Sequence, residues 1–218
     1  MPPIFAPGAN LVAKLVLLAA GGALVVVFII AWLGPSTGWA TRTGFPVGQP
    51  VPFSHQHHVG GLGLDCRFCH TTVEKAATAG MPPTHTCMTC HSQLWTNAEM
   101  LAPVRVSYES GKPLHWTRVN QLPDYVYFDH SIHIAKGVGC VTCHGRVDQM
   151  PLTAKGASLR MAWCVDCHRD PRPNLRPREA VFDMAWQRAP ETPSGDQLFA
   201  EYRIRSAAQL TDCSVCHR

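Results

Sequence analysis

Five short motifs constrain this chain more than any other feature of its sequence. All ten cysteines fall in C-x-x-C pairs, and a histidine directly follows every pair. Cysteines three residues apart lie on one face of a helical turn, where each thiol can form a thioether with one vinyl group of a haem. The next histidine then lies under the ring and can donate a nitrogen to the iron. This pattern is the attachment signature of c-type haem.

The motifs predict five covalent haems c and leave no cysteine over. The predicted attachment residues are Cys66, Cys69, Cys87, Cys90, Cys140, Cys143, Cys164, Cys167, Cys213 and Cys216, and the predicted proximal iron ligands are His70, His91, His144, His168 and His217. Two alternatives use the same cysteines, namely zinc sites and, in an exported protein, disulfides. Neither gives a role to the histidine that ends every motif, so we favour haem.

A repeat organises the middle of the chain. Each copy opens with an F-x-H-x-x-H segment, at residues 53–58 and 128–133, and continues with two haem motifs. Histidines three residues apart point in different directions from adjacent turns, so one can bind one haem while the other binds its neighbour. The distal ligands predicted for four irons are His55, His58, His130 and His133.

The fifth iron has no third F-x-H-x-x-H segment. The candidates for its distal ligand are Met150, Met161 and His85, and Met81, His115 or an open position are further alternatives. We therefore expect four bis-histidine haems and one haem with Met or no protein group at its sixth position.

The N-terminal region predicts a single membrane anchor. Residues 11–33 contain Lys14 as their one charge, and the uncharged run 15–33 is close to the ~20 residues that cross a bilayer. A signal peptide is the alternative, although its apolar region usually has only about 7–15 residues. Because c-type haem is attached outside the cytoplasm, we expect the motifs on the periplasmic side of the cytoplasmic membrane.

Beyond the anchor the sequence has almost no sustained helical or strand periodicity, so the porphyrins should form the core. The predicted division is a tail at 1–10, the anchor at 11–33, a linker at 34–52, a two-haem module at 53–91, a connector at 92–127, a second two-haem module at 128–168, and a segment with the fifth haem at 169–218. The expected fold class is one transmembrane helix plus a multihaem cytochrome c domain of short helices and long loops, with little β-structure. The formal charge of +4 is small and scattered, which excludes a nucleic-acid-binding protein.

The motifs also carry a family resemblance. The F-x-H-x-x-H segments with their C-x-x-C-H motifs resemble the cytochrome c7 and c3 type of multihaem fold. Residues 11–218 as a whole resemble the membrane-anchored pentahaem cytochrome c subunit of alternative complex III, a quinol:electron acceptor oxidoreductase. The second resemblance rests on the anchor, both modules, and residues 81–84, 163–169 and 211–218.

The resemblance implies an electron-relay subunit of a respiratory or photosynthetic chain. Its implied partners are an iron–sulfur subunit, polytopic quinol-binding membrane subunits and a monohaem cytochrome c. The alternative is a self-sufficient quinol dehydrogenase that feeds periplasmic reductases, but such proteins often have C-x-x-C-H-x-M, which none of the motifs here shows. One apolar helix with a single lysine cannot enclose a quinone and relay its protons, so we predict no catalytic residue and no activity of the chain alone.

Overall fold

A computed structural model describes residues 6–217. Residues 1–5 of the predicted tail and the final residue, Arg218, lie outside the described residues. The chain divides into two compact units, the first ending at Thr43 and the second beginning at Gly44.

The first unit is dominated by one long helix. Helix α1 (Ala9–Leu33) has 25 residues, none of them buried, and at 1.5 Å per residue it is about 37 Å long. It is followed by a 3₁₀ turn (Gly34–Ser36) and by α2 (Gly38–Thr41), which Thr37 caps through its side-chain oxygen. The predicted apolar helix is confirmed, and its length and composition suffice to cross a membrane.

The second unit consists of short helices and turns. Its helices are α3 (Cys66–Cys69), α4 (Thr84–His91), α5 (Ala102–Ser110), α6 (His130–Ala135), α7 (Cys140–His144), α8 (Met161–Arg169), α9 (Gly195–Glu201), α10 (Ala207–Leu210) and α11 (Cys213–Cys216). A π-helical turn covers Gln56–Gly61, and 3₁₀ turns cover Glu99–Leu101, Val147–Gln149, Arg172–Asn174 and Arg178–Ala180. Strand pairing within residues 6–217 is limited to three isolated bridges. The predicted mostly helical fold with little β-structure is confirmed.

Aspartate caps begin three of the helices that carry haem motifs or histidine segments. The Asp65 side chain accepts a hydrogen bond from a backbone N–H in the first turn of α3, and Asp212 does the same for α11. Asp129 caps α6 in the same way. Such caps satisfy the amide donors that a helix N-terminus leaves without a partner, so the residues before each motif set where its helical turn begins.

Two small clusters contain much of the apolar packing in the second unit. The buried residues of the first are Val51, Leu101 and Val104, and those of the second are Leu175, Leu198 and Tyr202. Neither cluster contains a motif histidine. The first cluster does contact the second motif, because Cys87 and Met88 pack against it. The apolar clusters therefore position the loops around the motifs.

The second half of the predicted linker belongs to the second unit. The Gly44 N–H donates to the Lys155 carbonyl at 2.8 Å, and the Val47 N–H donates to the Thr153 carbonyl at 3.1 Å. Residues 44–47 thus run alongside residues 153–155. The predicted linker is divided between the two units, and only residues 34–43 precede the second one.

Candidate haem-binding site

The two F-x-H-x-x-H segments have the same local structure. The Phe53 ring is perpendicular to His55, with centroids 4.9 Å apart at 87°, and is stacked on His58, at 4.4 Å and 21°. The Phe128 ring contacts the first histidine of its own segment at 4.7 Å and 90° and the second at 4.5 Å and 27°. Edge-to-face and stacked contacts are both favourable for aromatic rings, so each phenylalanine orients both histidines that follow it.

Three pairs of histidines have the spacing of two ligands on one metal ion. Their ring centroids are 6.2 Å apart in His58/His91, 6.2 Å in His130/His144 and 6.1 Å in His133/His168. Two imidazoles that bind one ion through nitrogens at about 2 Å each place their ring centroids roughly 6 Å apart. Each pair joins an F-x-H-x-x-H histidine to a motif histidine of the same repeat. These residues fit an iron bound from both faces.

His55 and His70 form the fourth neighbouring pair. Burial lowers the pKa of His55 to about 4, and His70 lowers it more than any other neighbouring charge does. In each repeat the first histidine of the segment therefore lies by the first motif, and the second by the second motif. The sequence alone had left this assignment open.

Burial keeps several of these imidazoles neutral. It lowers the pKa of His144 to about 4, with further lowering by His130 and His70, and it lowers the pKa of His133 and His58 as well. Metals bind the neutral form of histidine. The buried imidazoles are thus in their ligating form at neutral pH.

The second histidine of each segment is held by its own helical turn. His58 Nδ1 lies 2.8 Å from the Ser54 carbonyl, and His133 Nδ1 lies 2.7 Å from the Asp129 carbonyl. When Nδ1–H donates to a carbonyl, the lone pair on Nε2 remains for a metal. The carbonyl four residues earlier therefore fixes both the tautomer and the orientation of the ring.

The first histidine of each segment is held by the other repeat. His55 Nδ1 lies 2.9 Å from the Thr153 hydroxyl, in the loop between the motifs of the second repeat. His130 Nδ1 lies 2.8 Å from the Ala77 carbonyl, in the loop between the motifs of the first. Each repeat thus orients one candidate distal ligand of the other.

Backbone carbonyls also accept hydrogen bonds from four of the five motif histidines. The contacts are His70 Nδ1 with Gly80 at 2.7 Å, His91 with Leu94 at 3.1 Å, His168 with Leu210 at 3.0 Å, and His217 with Tyr125 at 3.2 Å. Gly80 has a φ of +78°, a conformation that favours glycine. Sequence reasoning missed these acceptors because a carbonyl belongs to every residue and leaves no signal in a motif.

His144 has a side-chain partner instead. Asn120 Nδ2 lies 3.0 Å from His144 Nδ1, while Asn120 Oδ1 is buried without a hydrogen-bond partner. Rotating the amide by 180° lets Nδ1–H donate to Oδ1 and removes the unpaired acceptor. The orphaned oxygen therefore fits a His144 that carries its proton on Nδ1 and presents Nε2 to a metal.

The alternatives of zinc and disulfides find little support in the geometry. All ten cysteines are unpaired thiols, and burial raises the pKa of Cys140 to about 11 and that of Cys143 to about 12. A structural zinc site needs four ligands around one point. Within residues 6–217, no three Cys, His, Asp or Glu side chains converge in that way.

Thiols of different motifs lie close together, which gives the motifs a spatial order. Burial raises the pKa of seven motif thiols. For four of them the second-largest effect on the pKa comes from a thiol of another motif. The neighbours are Cys87 for Cys69, Cys66 for Cys140, Cys167 for Cys143, and Cys216 for Cys164. The motifs therefore follow one another in space in the order second, first, third, fourth, fifth.

The fifth motif histidine lacks a histidine partner among the described residues. The ring in contact with His217 is that of Tyr125, with centroids 5.7 Å apart at 31°. His85 is exposed and lies by Tyr108, with ring centroids 6.2 Å apart. His115 is exposed as well. Neither His85 nor His115 lies against a motif histidine as the histidines of the F-x-H-x-x-H segments do.

The candidate methionines are in different surroundings. Met150 Sδ accepts a hydrogen bond from the Ala154 N–H at 3.4 Å, within the loop between the third and fourth motifs. Met161 begins α8, is 67% exposed, and lies one helical turn before Cys164, the thiol next to Cys216. Met161 thus lies on the helix whose Cys164 neighbours Cys216 of the fifth motif.

Comparison with known proteins finds a family model that is similar to the second half of the chain. Residues 126–218, with the second histidine segment and three motifs, match the family described as cytochrome c7 and related cytochrome c. The chain has a cytochrome c7-like multihaem domain. Such a domain implies c-type haem. The first repeat lies outside the matched residues, yet its histidine segment has the same geometry as that of the cytochrome c7-like domain.

A curated relative extends the similarity. The chain is 34% identical over 134 residues to the menaquinone reductase, multiheme cytochrome c subunit, of Nitratidesulfovibrio vulgaris. The alignment covers 58% of this chain and 60% of the relative. The chain therefore matches about three fifths of that relative's length, and the similarity supports a multihaem cytochrome c that contains the cytochrome c7-like domain.

Proposed function

We propose that this chain is a membrane-anchored pentahaem cytochrome c that relays electrons within a quinone-linked membrane complex. The observation that carries the proposal is the spacing of the histidine pairs, which fits iron bound from both faces. When bound, haem supplies an iron that accepts and releases one electron at a time. The proposed ligand pairs are His55/His70, His58/His91, His130/His144 and His133/His168.

The residues of the chain give these four sites a relay function. Two neutral imidazoles bound to each iron would leave no position for a substrate, and their Nδ1 hydrogen bonds hold the rings in place. For the fifth site we propose His217 and Met161. The order of neighbouring motifs, from the second through the first, third and fourth to the fifth, would keep successive redox centres adjacent.

The anchor and the partners are part of the same proposal. We assign α1 as a single-pass anchor in the cytoplasmic membrane, with the haem motifs on the periplasmic side. The exposed apolar surface of α1 supports this assignment. The sequence resemblance favours alternative complex III, with an iron–sulfur subunit, polytopic quinol-binding subunits and a monohaem cytochrome c as partners.

A second candidate comes from the relative in Nitratidesulfovibrio vulgaris, whose name describes a menaquinone reductase. In that case the chain would carry electrons toward a quinone rather than away from a quinol. The complex purified in mild detergent distinguishes the two candidates. Haem reduction by menaquinol supports the quinol-oxidising complex, whereas oxidation of pre-reduced haems by menaquinone, with no reduction by menaquinol, supports the reductase.

Haem attachment is tested by intact-mass spectrometry of the purified chain. We expect the polypeptide plus five haems. The control is a Cys213→Ser/Cys216→Ser variant, which should carry four haems, because its other four motifs are unchanged. A wild-type mass with four haems, or with zinc, would contradict the proposal.

A further inference from the structure

Arg176 is a buried cation that has no anionic partner among the described residues. It is 6% exposed, and its Nη1 donates to the carbonyl oxygens of Ala180 at 3.4 Å and Asp183 at 2.9 Å. Its guanidinium lies over the Trp186 ring, 4.8 Å from the centroid. Within residues 6–217 no carboxylate is within ion-pair distance of it, and its Nε is buried without an acceptor.

This charge lies against the third haem motif. The guanidinium occupies the space that a Cβ on Gly139 would need, and Gly139 directly precedes Cys140. The loop that carries Arg176 is also joined to the motif, since the Cys140 N–H donates to the Val181 carbonyl at 3.1 Å. Only a residue without a side chain leaves room for the guanidinium at this position.

Burying a charge without a counterion is costly. Carbonyl dipoles and the face of Trp186 compensate the Arg176 charge only in part. A neighbouring redox centre gains an electron on reduction, and this negative charge would interact favourably with the part of the Arg176 charge that is not compensated. A unit charge about 10 Å from such a centre, at an effective dielectric constant of about 20, changes its reduction equilibrium roughly tenfold.

We propose that Arg176 is a redox-tuning residue, whose uncompensated charge raises the midpoint potential of the haem held by Cys140, Cys143 and His144. The inference rests on the haem attachment proposed above. Because the third motif is the middle one in the spatial order, Arg176 would favour electron occupancy at the centre of the relay.

The experiment is a potentiometric titration of the assembled holoprotein, followed by electron paramagnetic resonance. Bis-histidine haems with nearly parallel rings give rhombic signals, and those with nearly perpendicular rings give highly anisotropic ones. The His130/His144 rings are 9° from parallel, whereas the His58/His91 rings are at 68°. The His133/His168 rings, at 29°, are also closer to parallel, so the rhombic signals include the haem next to Arg176. The highly anisotropic signal marks a haem two motifs away from it in the spatial order.

Three variants isolate the charge. Arg176→Gln keeps a donor for the carbonyl oxygens but removes the charge, and it should shift the reduction equilibrium of one rhombic component roughly tenfold toward the oxidised form. Arg176→Lys keeps the charge, so its midpoint potential should be close to that of the wild type. Arg188→Gln is the matched control, because Arg188 lies over the same Trp186 ring, at 5.4 Å, but is exposed.

The proposal would be overturned if the midpoint potential shifted equally in the Gln and Lys variants, or if it shifted in neither. If Arg176→Gln does not assemble, Asp183→Asn gives an independent test. Asp183 is an exposed carboxylate whose charge acts on Arg176, so its removal should raise the same midpoint, and an unchanged midpoint would refute the proposal. The haem count by mass is measured on every variant, so a failure of haem attachment is distinguished from a failure of tuning.

Discussion

Replacing Phe128 by leucine tests whether the phenylalanine of each segment holds the two histidines in their ligating positions. The stacked and the edge-to-face contact of Phe128 are each worth about 0.5–1.5 kcal/mol beyond the burial of apolar area. Leucine keeps most of the apolar volume but loses both ring contacts. We expect His130 and His133 each to lose about 1 kcal/mol of stabilisation in the bound position, which corresponds to roughly fivefold in each ligand equilibrium.

The assay is carbon monoxide binding to the fully reduced protein, because CO binds a haem only when its distal ligand leaves. Phe128→Leu should raise the apparent CO affinity about fivefold at two haems and leave the others as in the wild type. Phe53→Leu is the matched variant and should do the same at the two haems of the first repeat. Unchanged affinity, or an equal rise at all haems, would show that the phenylalanines do not act on the ligands individually.

Four further outcomes follow from the structure. Met161→Leu should abolish the near-infrared charge-transfer band of a Met–haem, and Met150→Leu should leave it unchanged. Asn120→Leu should raise the midpoint potential of one haem, since a hydrogen-bonded imidazole is the stronger donor to ferric iron. Leu198→Ala, at a side chain that is 1% exposed, should lower the free energy of unfolding by about 2–5 kcal/mol, measured by denaturant titration against wild type. Protease added to spheroplasts should cut within residues 34–43 and release the haem domain; full protection would contradict the orientation assigned to α1.

The side chains of the candidate site could be named from the sequence, because the proposed covalent attachment requires particular residues at fixed spacing. The C-x-x-C-H motifs and the F-x-H-x-x-H segments are local patterns, so they show which side chains are involved. The pairing of His58 with His91 and of His55 with His70 depends on how loops fold back, and no local pattern encodes that. Likewise, residues 44–52 have the composition of a linker, but hydrogen bonds to residues 153–155 make their first part an element of the folded unit.

The hydrogen bonds exchanged between the repeats make assembly depend on the whole chain. Thr153 orients His55 from 98 residues further along, and Ala77 orients His130 from 53 residues earlier. In a chain exported from its N-terminus, the first segment would emerge long before the residue that fixes its first histidine. Haem could be attached to the first motif in chain order, but its distal ligand would be fixed only after the second repeat had folded. Neither repeat can therefore be deleted without removing the hydrogen bond that orients a candidate distal ligand of the other.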